Sequence, residues 1–245
     1  MPRRLRNWVD NSCYHITHRC EDKNFYFKFK KYRDKYRHFL FEGQKRYKVD
    51  ILNFVVTSNH VHILVVAGIG SNISKCIQFA HSRIAQVYNQ EKGFESSFWN
   101  GRFHATRIED GNHLSRCLFY IDFNMVRAGV VKHPSEWEHG GYHEIIHDKA
   151  RYRIVNVERL MRCLKMANAS VEDLRNWYSR TLTDMLQKEQ LKREAFWSEA
   201  FAVGSKGWLS KAAEESGLKQ YHFYENENTE YILGKNNTKN LKRCF

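Results

Sequence analysis

Apolar positions along this chain follow two periods, and the switching between them predicts an order of elements. Cys13 to Arg19, CYHITHR, has strand character, whereas Phe29 to Phe41 places Phe29, Tyr32, Tyr36, Phe39 and Leu40 at helical spacing among lysines and arginines. Val49 to Thr57 and His60 to Val66 are apolar and rich in β-branched residues, and Ser58 with Asn59 between them suits a tight hairpin turn. Asn72 is placed to cap a second helix whose buried stripe is Ile73, Cys76, Ile77, Ala80, Ile84 and Val87, with Gly93 just past its end. Arg102 to Glu109 reads as a fourth strand. Asp110 then caps a third helix running through Leu114, Cys117, Leu118 and Ile121.

The order β-α-β-β-α-β followed by a helix predicts an α+β fold of ferredoxin-like arrangement: four antiparallel strands with helices on one face and the other face open to a ligand. The glycines from Gly129 to Gly141 mark the end of this core. After about Arg151 the pattern turns helical and charged, with a capping signal at Ser170 to Asp173 and a helix end over Ala212 to Gly217. The division expected is a core of residues 1–150 and a C-terminal helical extension of residues 151–245.

Charge narrows the partner. Lys and Arg number 40 against 27 acidic residues, a formal net charge of +13, while a 42% hydrophobic content with 14% aromatics marks a folded chain. A polyanion is the natural partner. The six cysteines, at 13, 20, 76, 117, 163 and 244, show no Cys-x-x-Cys pair and read as reduced thiols of a cytosolic protein. The basic start is followed by no apolar stretch of signal-peptide kind, and no uncharged run is long enough to span a bilayer, so secretion and membrane insertion are not expected.

The chemistry concentrates in NFVVTSNHVHILVV and LFYIDFN. His60 and His62 are two apart in a strand, so both imidazoles project from one face while Val61 points the other way. Tyr120 and Asn124 are four apart and share one face if they lie on a helix. An ion held by His60, His62 and the Asn124 amide oxygen would polarise a phosphate oxygen beside the Tyr120 hydroxyl, which could attack phosphorus. Arg102, His104, Arg107 and Arg127 flank these residues in sequence and could hold neighbouring phosphates. The plainer alternative is a half-buried core tyrosine beside an asparagine cap. His139, His143 and His147 recur every four residues, but Gly140 and Gly141 argue against a helix there, and they are expected at the surface. No Walker loop, dinucleotide fingerprint or Gly-x-Ser-x-Gly elbow is present.

Taken together and in order, CYHITHR, TSNHVHILVV, GRFHATRIED and YIDFNMVRAGVV resemble the single-tyrosine HUH transposases, and most closely the REP-associated tyrosine transposases related to small insertion-sequence transposases. The similarity covers about residues 1 to 150, and FWSEAFAVGSKGWLSKAAEESG also looks like the family's C-terminal region. The resemblance implies a nuclease core, a divalent ion (Mg or Mn), and a 5′-phosphotyrosine intermediate with a free 3′-hydroxyl. It matches His60 and His62 to the HUH ligands, Tyr120 to the nucleophile and Asn124 to the third ligand. It implies a single-stranded DNA hairpin with a flanking guide sequence as partner, contacted around Arg3, Arg4 and Arg6 and by the extension. A cytoplasmic, nucleoid-associated prokaryotic protein acting as monomer or homodimer is expected. Met125 stands where the family usually has proline, a departure that removes no catalytic group. The rival readings are a non-catalytic nucleic-acid-binding protein on the same fold and a replication-initiator or relaxase-type nickase.

Overall fold

A computed structural model describes residues 6–148, 151–188, 192–217, 221–225 and 231–235. Strand β1 (Cys13–Arg19) leads into helix α1 (Lys30–Tyr47), the hairpin β2 (Asp50–Val56) and β3 (His60–Val66), helix α2 (Ile73–Lys92) and strand β4 (His104–Ile108). Helices α3 (Asn112–Asp122) and α4 (Asn124–Arg127) follow directly. Strand β1 lies between β3 and β4 and is antiparallel to both, and β2 pairs outside β3. This is the β-α-β-β-α-β arrangement expected, because each helical crossover skips one strand and the hairpin fills the gap.

Sheet parity decides what each face carries. Thr17 pairs with His62 and His104, and His15 with Leu64 and Thr106, so these side chains share one face with His60. Tyr14, Ile16, His18, Val61, Ile63 and Val65 point the other way, where α1 and α2 pack against the sheet. A bulge between Ile51 and Asn53 in β2 puts Asn53 on the histidine face. Asn53 there donates to the Leu118 carbonyl and to the Asp122 carboxylate at 3.3 and 2.9 Å.

That second face is not left open as expected. The apolar side of α3, Leu114, Cys117, Leu118 and Ile121, is fully buried, and a helix with such a stripe must cover a sheet. The cover comes from α3 together with α5 (Tyr142–Ile146) and α6 (Val157–Cys163); Ile51 bridges to Val155, and Gly140 to Val55. Gly141 sits so close that a Cβ there would lie 2.2 Å from the Asn53 side-chain oxygen. Leu160, Leu174, Tyr178 and Trp197 of the C-terminal half, at most 1% exposed, join the same buried cluster as β1 and β3.

The extension carries helices α7 (Val171–Gln187), α8 (Phe196–Glu199) and α9 (Lys206–Glu215), as its charged helical pattern predicts. It also adds strands β5 (Ala202–Gly204), β6 (Tyr221–Glu225) and β7 (Tyr231–Lys235), giving one sheet in the order β2-β3-β1-β4-β5-β7-β6. At three residues β5 carries too few alternations to be told from loop by period, and it exists because the edge of β4 offers it a parallel partner.

Local signals set several boundaries. Asn72 accepts from the Lys75 amide at 2.9 Å, and Ser170 with Asp173 forms a complete capping box. Asp110 does not cap α3. Gly111, at φ +83°, takes the N-cap position, and the Asp110 carboxylate accepts instead from the Cys13 thiol at 3.1 Å. Among the described residues no helix is long and apolar enough to cross a membrane.

Candidate active site

The histidine face of the sheet meets the α3–α4 junction in a cleft of about 450 Å³ lined by His60, His62, Tyr120, Asn124, Arg19, Arg127, Arg193, Ser198 and Glu199. A larger cleft of about 550 Å³ near Lys48, Asp50 and Arg153 lacks any such gathering of histidines, so chemistry rather than volume singles out the first. His60 and His62 project from one side of β3, their ring centroids 4.9 Å apart. The His62 and Tyr120 ring centroids are 6.0 Å apart, and the Asn124 side-chain nitrogen lies 3.0 Å from His62 Nε2. His60, His62, Tyr120 and Asn124 are therefore brought together.

Each ligand candidate is held from behind. Asn59 Oδ1 lies 2.7 Å from His60 Nδ1 and Thr57 Oγ1 lies 2.9 Å from it, so the hairpin turn itself orients this ring. His62 Nδ1 faces His15 Nε2 at 2.8 Å, and His15 Nδ1 faces the Trp197 carbonyl at 2.7 Å. Burial, with the Arg19 charge added, pushes His60 down to about 3, and burial pushes His15 down to about 3 and His62 well below its ordinary value. All three are neutral at pH 7, the form that binds a metal ion.

Tyr120 is 7% exposed. Burial raises its phenol, while the charges of Arg127 and Arg193 and a hydrogen bond with Ser198 act in the opposite sense. The Arg127 guanidinium carbon sits 4.1 Å above the Tyr120 ring centre, and Nη2 donates to the Tyr120 carbonyl at 2.7 Å. Met125 does not disturb this placement. The helix stops through Gly129, at φ +68°, whose amide donates to the Val126 carbonyl while Val130 donates to that of Met125, a Schellman closure that needs no proline.

The remaining expected contacts divide. Arg102 is exposed and close enough to Arg6 for the two charges to repel; with burial as the larger cause, Arg6 is lowered to about 10. Arg6 also lies 3.7 Å over the Phe103 ring. His104 lies on the site face, and its Nε2 meets the Ala200 carbonyl at 2.8 Å. Arg107 points to the opposite face, is 6% exposed, and bonds Glu215 at 2.7 Å and the Ser12 hydroxyl at 2.8 Å, so its guanidinium is committed within the fold and not offered to phosphate. Arg3 and Arg4 lie outside the described residues. His139 is not at the surface: it is 3% exposed because its segment folds back on β2, where its carbonyl accepts from the Val56 amide.

Four participants were not singled out from sequence. His15 could have been reached by strand parity once β1 was paired with β3, and Arg19 by the same route. Ser198 and Arg193 come from more than seventy residues downstream of Tyr120, and no local periodicity links them to it. Cys13, Asp110 and Cys163 form a further group whose ligand atoms lie within 4.8 Å of one another, on the far end of β1 from the histidines.

Residues 8–124 match the family model described as "Transposase IS200 like". The structure of a REP-associated tyrosine transposase bound to a REP hairpin superposes with TM-score 0.50 at 19% identity, covering 64% of this chain and 90% of that one. It shares the fold of this chain. A transposase from Deinococcus radiodurans, described as putative, overlaps 42% of this chain and 84% of its own at 13% identity, and its TM-score of 0.32 carries no argument. No curated protein matches the chain.

Proposed function

We propose that this chain is a metal-dependent single-stranded DNA endonuclease and strand transferase, acting at hairpin-bearing sites through Tyr120. The carrying observation is the convergence of His60, His62, Asn124 and Tyr120 in one cleft rimmed by Arg19, Arg127 and Arg193. Two neutral imidazoles and an amide oxygen form a mixed nitrogen and oxygen donor set for a divalent ion, which the family resemblance implies to be Mg or Mn. When bound, such an ion would polarise a non-bridging phosphate oxygen.

The chain's own groups do the rest. The Tyr120 oxygen attacks phosphorus, the bond to the 3′ oxygen breaks, and that oxygen leaves as a hydroxyl, so the 5′ side stays on the enzyme as a phosphotyrosine. Attack by a 3′-hydroxyl reverses the step and joins a strand. Ser198 orients the phenol, and Arg127, stacked on its ring, stabilises charge as it develops. Residues 1–150 form the nuclease core in this reading, and the extension, 151–245, adds DNA contacts. Arg3, Arg4, Arg6, Arg102 and His104 are assigned to phosphates or guide bases. A hairpin partner is supported by the neighbouring structure, which was solved on a REP hairpin.

The test is a labelled single-stranded hairpin incubated with the full chain and Mn²⁺, followed by denaturing electrophoresis and peptide mapping. A covalent adduct on Tyr120 is expected. An adduct elsewhere would reassign the nucleophile, and none at all would favour a protein that binds DNA without cutting it.

A further inference from the structure

The proposed site requires His62 to offer a bare Nε2, yet a neutral histidine can hold its proton on either nitrogen. Which one it uses is set by the hydrogen bond at the other nitrogen. His62 and His15 lie parallel, their ring centroids 5.0 Å apart at 16°, and His15 is 0% exposed. A carbonyl oxygen only accepts, so at 2.7 Å from the Trp197 carbonyl His15 Nδ1 carries a proton. A second proton on His15 would make a cation closed off from water with no carboxylate among its hydrogen-bond partners. His15 Nε2 is therefore bare and accepts. The donor across the 2.8 Å gap is His62 Nδ1–H, which leaves the lone pair of His62 Nε2 facing Asn124 and the cleft.

We propose that the Trp197 main-chain carbonyl, acting through His15, fixes the tautomer and orientation of His62, so that the segment around α8 is a working part of the metal site. His15 is then a positioning residue. The inference rests on the reading of His62 as a ligand.

A relay of this kind needs a fixed origin, and the segment is anchored on both sides of the carbonyl. The Trp197 indole donates to Glu194 at 2.8 Å, and the Ala200 carbonyl accepts from His104 and from Thr106, each at 2.8 Å. The Arg107 amide donates to the Phe201 carbonyl at 2.9 Å, continuing the attachment to β4. His60 reaches the same protonation pattern locally, since the Asn59 carboxamide oxygen 2.7 Å from Nδ1 accepts its proton. Two ligands two residues apart are thus set by unrelated devices: a turn for His60, and a carbonyl from the extension for His62.

The experiment compares the full chain with His15→Leu and His15→Gln, using ¹⁵N-histidine spectra of the metal-free proteins and calorimetric Mn²⁺ titration. The spectrum of the unaltered chain should show His62 protonated at Nδ1. His15→Leu should lose that one-sided tautomer and bind Mn²⁺ about 10- to 100-fold more weakly, the usual cost of losing an outer hydrogen bond on a metal-binding histidine. His15→Gln, whose amide offers an acceptor to His62 and a donor to Trp197, should return close to the original affinity. A purely structural His15 would lower the melting temperature in both variants with no separation in affinity, and that outcome overturns the proposal. So does a His62 protonated at Nε2 in the unaltered chain, a measurement that decides even if His15→Leu fails to fold. If the unaltered chain binds no Mn²⁺ yet shows the Nδ1 proton, it is the ligand reading of His62 that fails, and the relay stands as a proton-ordering device.

Discussion

At the scale of single residues, the site separates binding from chemistry. Tyr120→Phe removes one oxygen from a ring that keeps its packing beneath Arg127, so cleavage and adduct formation should vanish while hairpin affinity changes by less than about twofold. An adduct formed by that variant would show that another group attacks. His60→Ala and His62→Ala should each abolish metal-supported cleavage and weaken Mn²⁺ binding, because each removes a neutral nitrogen donor from the cleft. Asn124→Ala should be milder, since water can replace an amide oxygen. Calorimetric titration with Mn²⁺ ranks the three, and full cleavage by the double histidine variant in chelator would remove the metal from the proposal.

At the scale of elements, α3 is tied to the sheet by a buried polar clamp. Asp122, 6% exposed, accepts from Asn53 with one oxygen and has no hydrogen-bond partner for the other, and burial raises its carboxyl to about 7. The unfolded chain ionises Asp122 near 3.8, so this contribution to stability is fully present below about pH 4, is lost as pH rises to about 7, and is flat above that. The depressed histidines act in the opposite sense over the same range: their contribution is present above about 6.5 and is lost on acidification. They are common to both proteins in a comparison of the original with Asp122→Asn, so the difference isolates the aspartate. The variant should match the original near pH 4 and exceed it at pH 8, by up to an order of 4 kcal/mol if the full shift is realised. Urea denaturation across that range checks the sign, and equal stabilities of the two proteins at both ends would show that folding does not raise the Asp122 carboxyl.

Across the whole molecule, the excess of 13 positive charges should govern encounter with DNA. Affinity for a hairpin should fall steeply with salt, log affinity dropping against log salt with a slope near 0.7 per phosphate contacted in single strands. A flat response in fluorescence anisotropy would point to a ligand other than nucleic acid. The cleft also predicts substrate form. Tyr120 is 7% exposed and lines a cleft that carries Arg19, Arg127 and Arg193, so the scissile phosphodiester must be flexible enough to enter. A folded hairpin with an unpaired flank should therefore be cut faster than the same sequence as duplex, which must first be opened. Equal initial rates under the same salt and metal would contradict entry as a single strand.

How much of this was legible in the chain depends on the range of the force responsible. Strand parity put His60 and His62 on one face, helical spacing put Asn124 one turn beyond Tyr120, and Asn72 and Ser170 announced their helices, because a side chain and its neighbours a few positions away fix these features without reference to the rest of the molecule. The burial of Arg107 against Glu215, the capture of Asp110 by Cys13 in place of a cap, and the strands of the extension all depend on partners that meet only after the sheet forms. The sequence by itself determined the β-α-β-β-α-β core and the four residues of the candidate site. Only the tertiary structure decided that the second sheet face is covered, and that His62 is set from Trp197 through His15. A hydrogen bond across 182 positions leaves no period in the sequence.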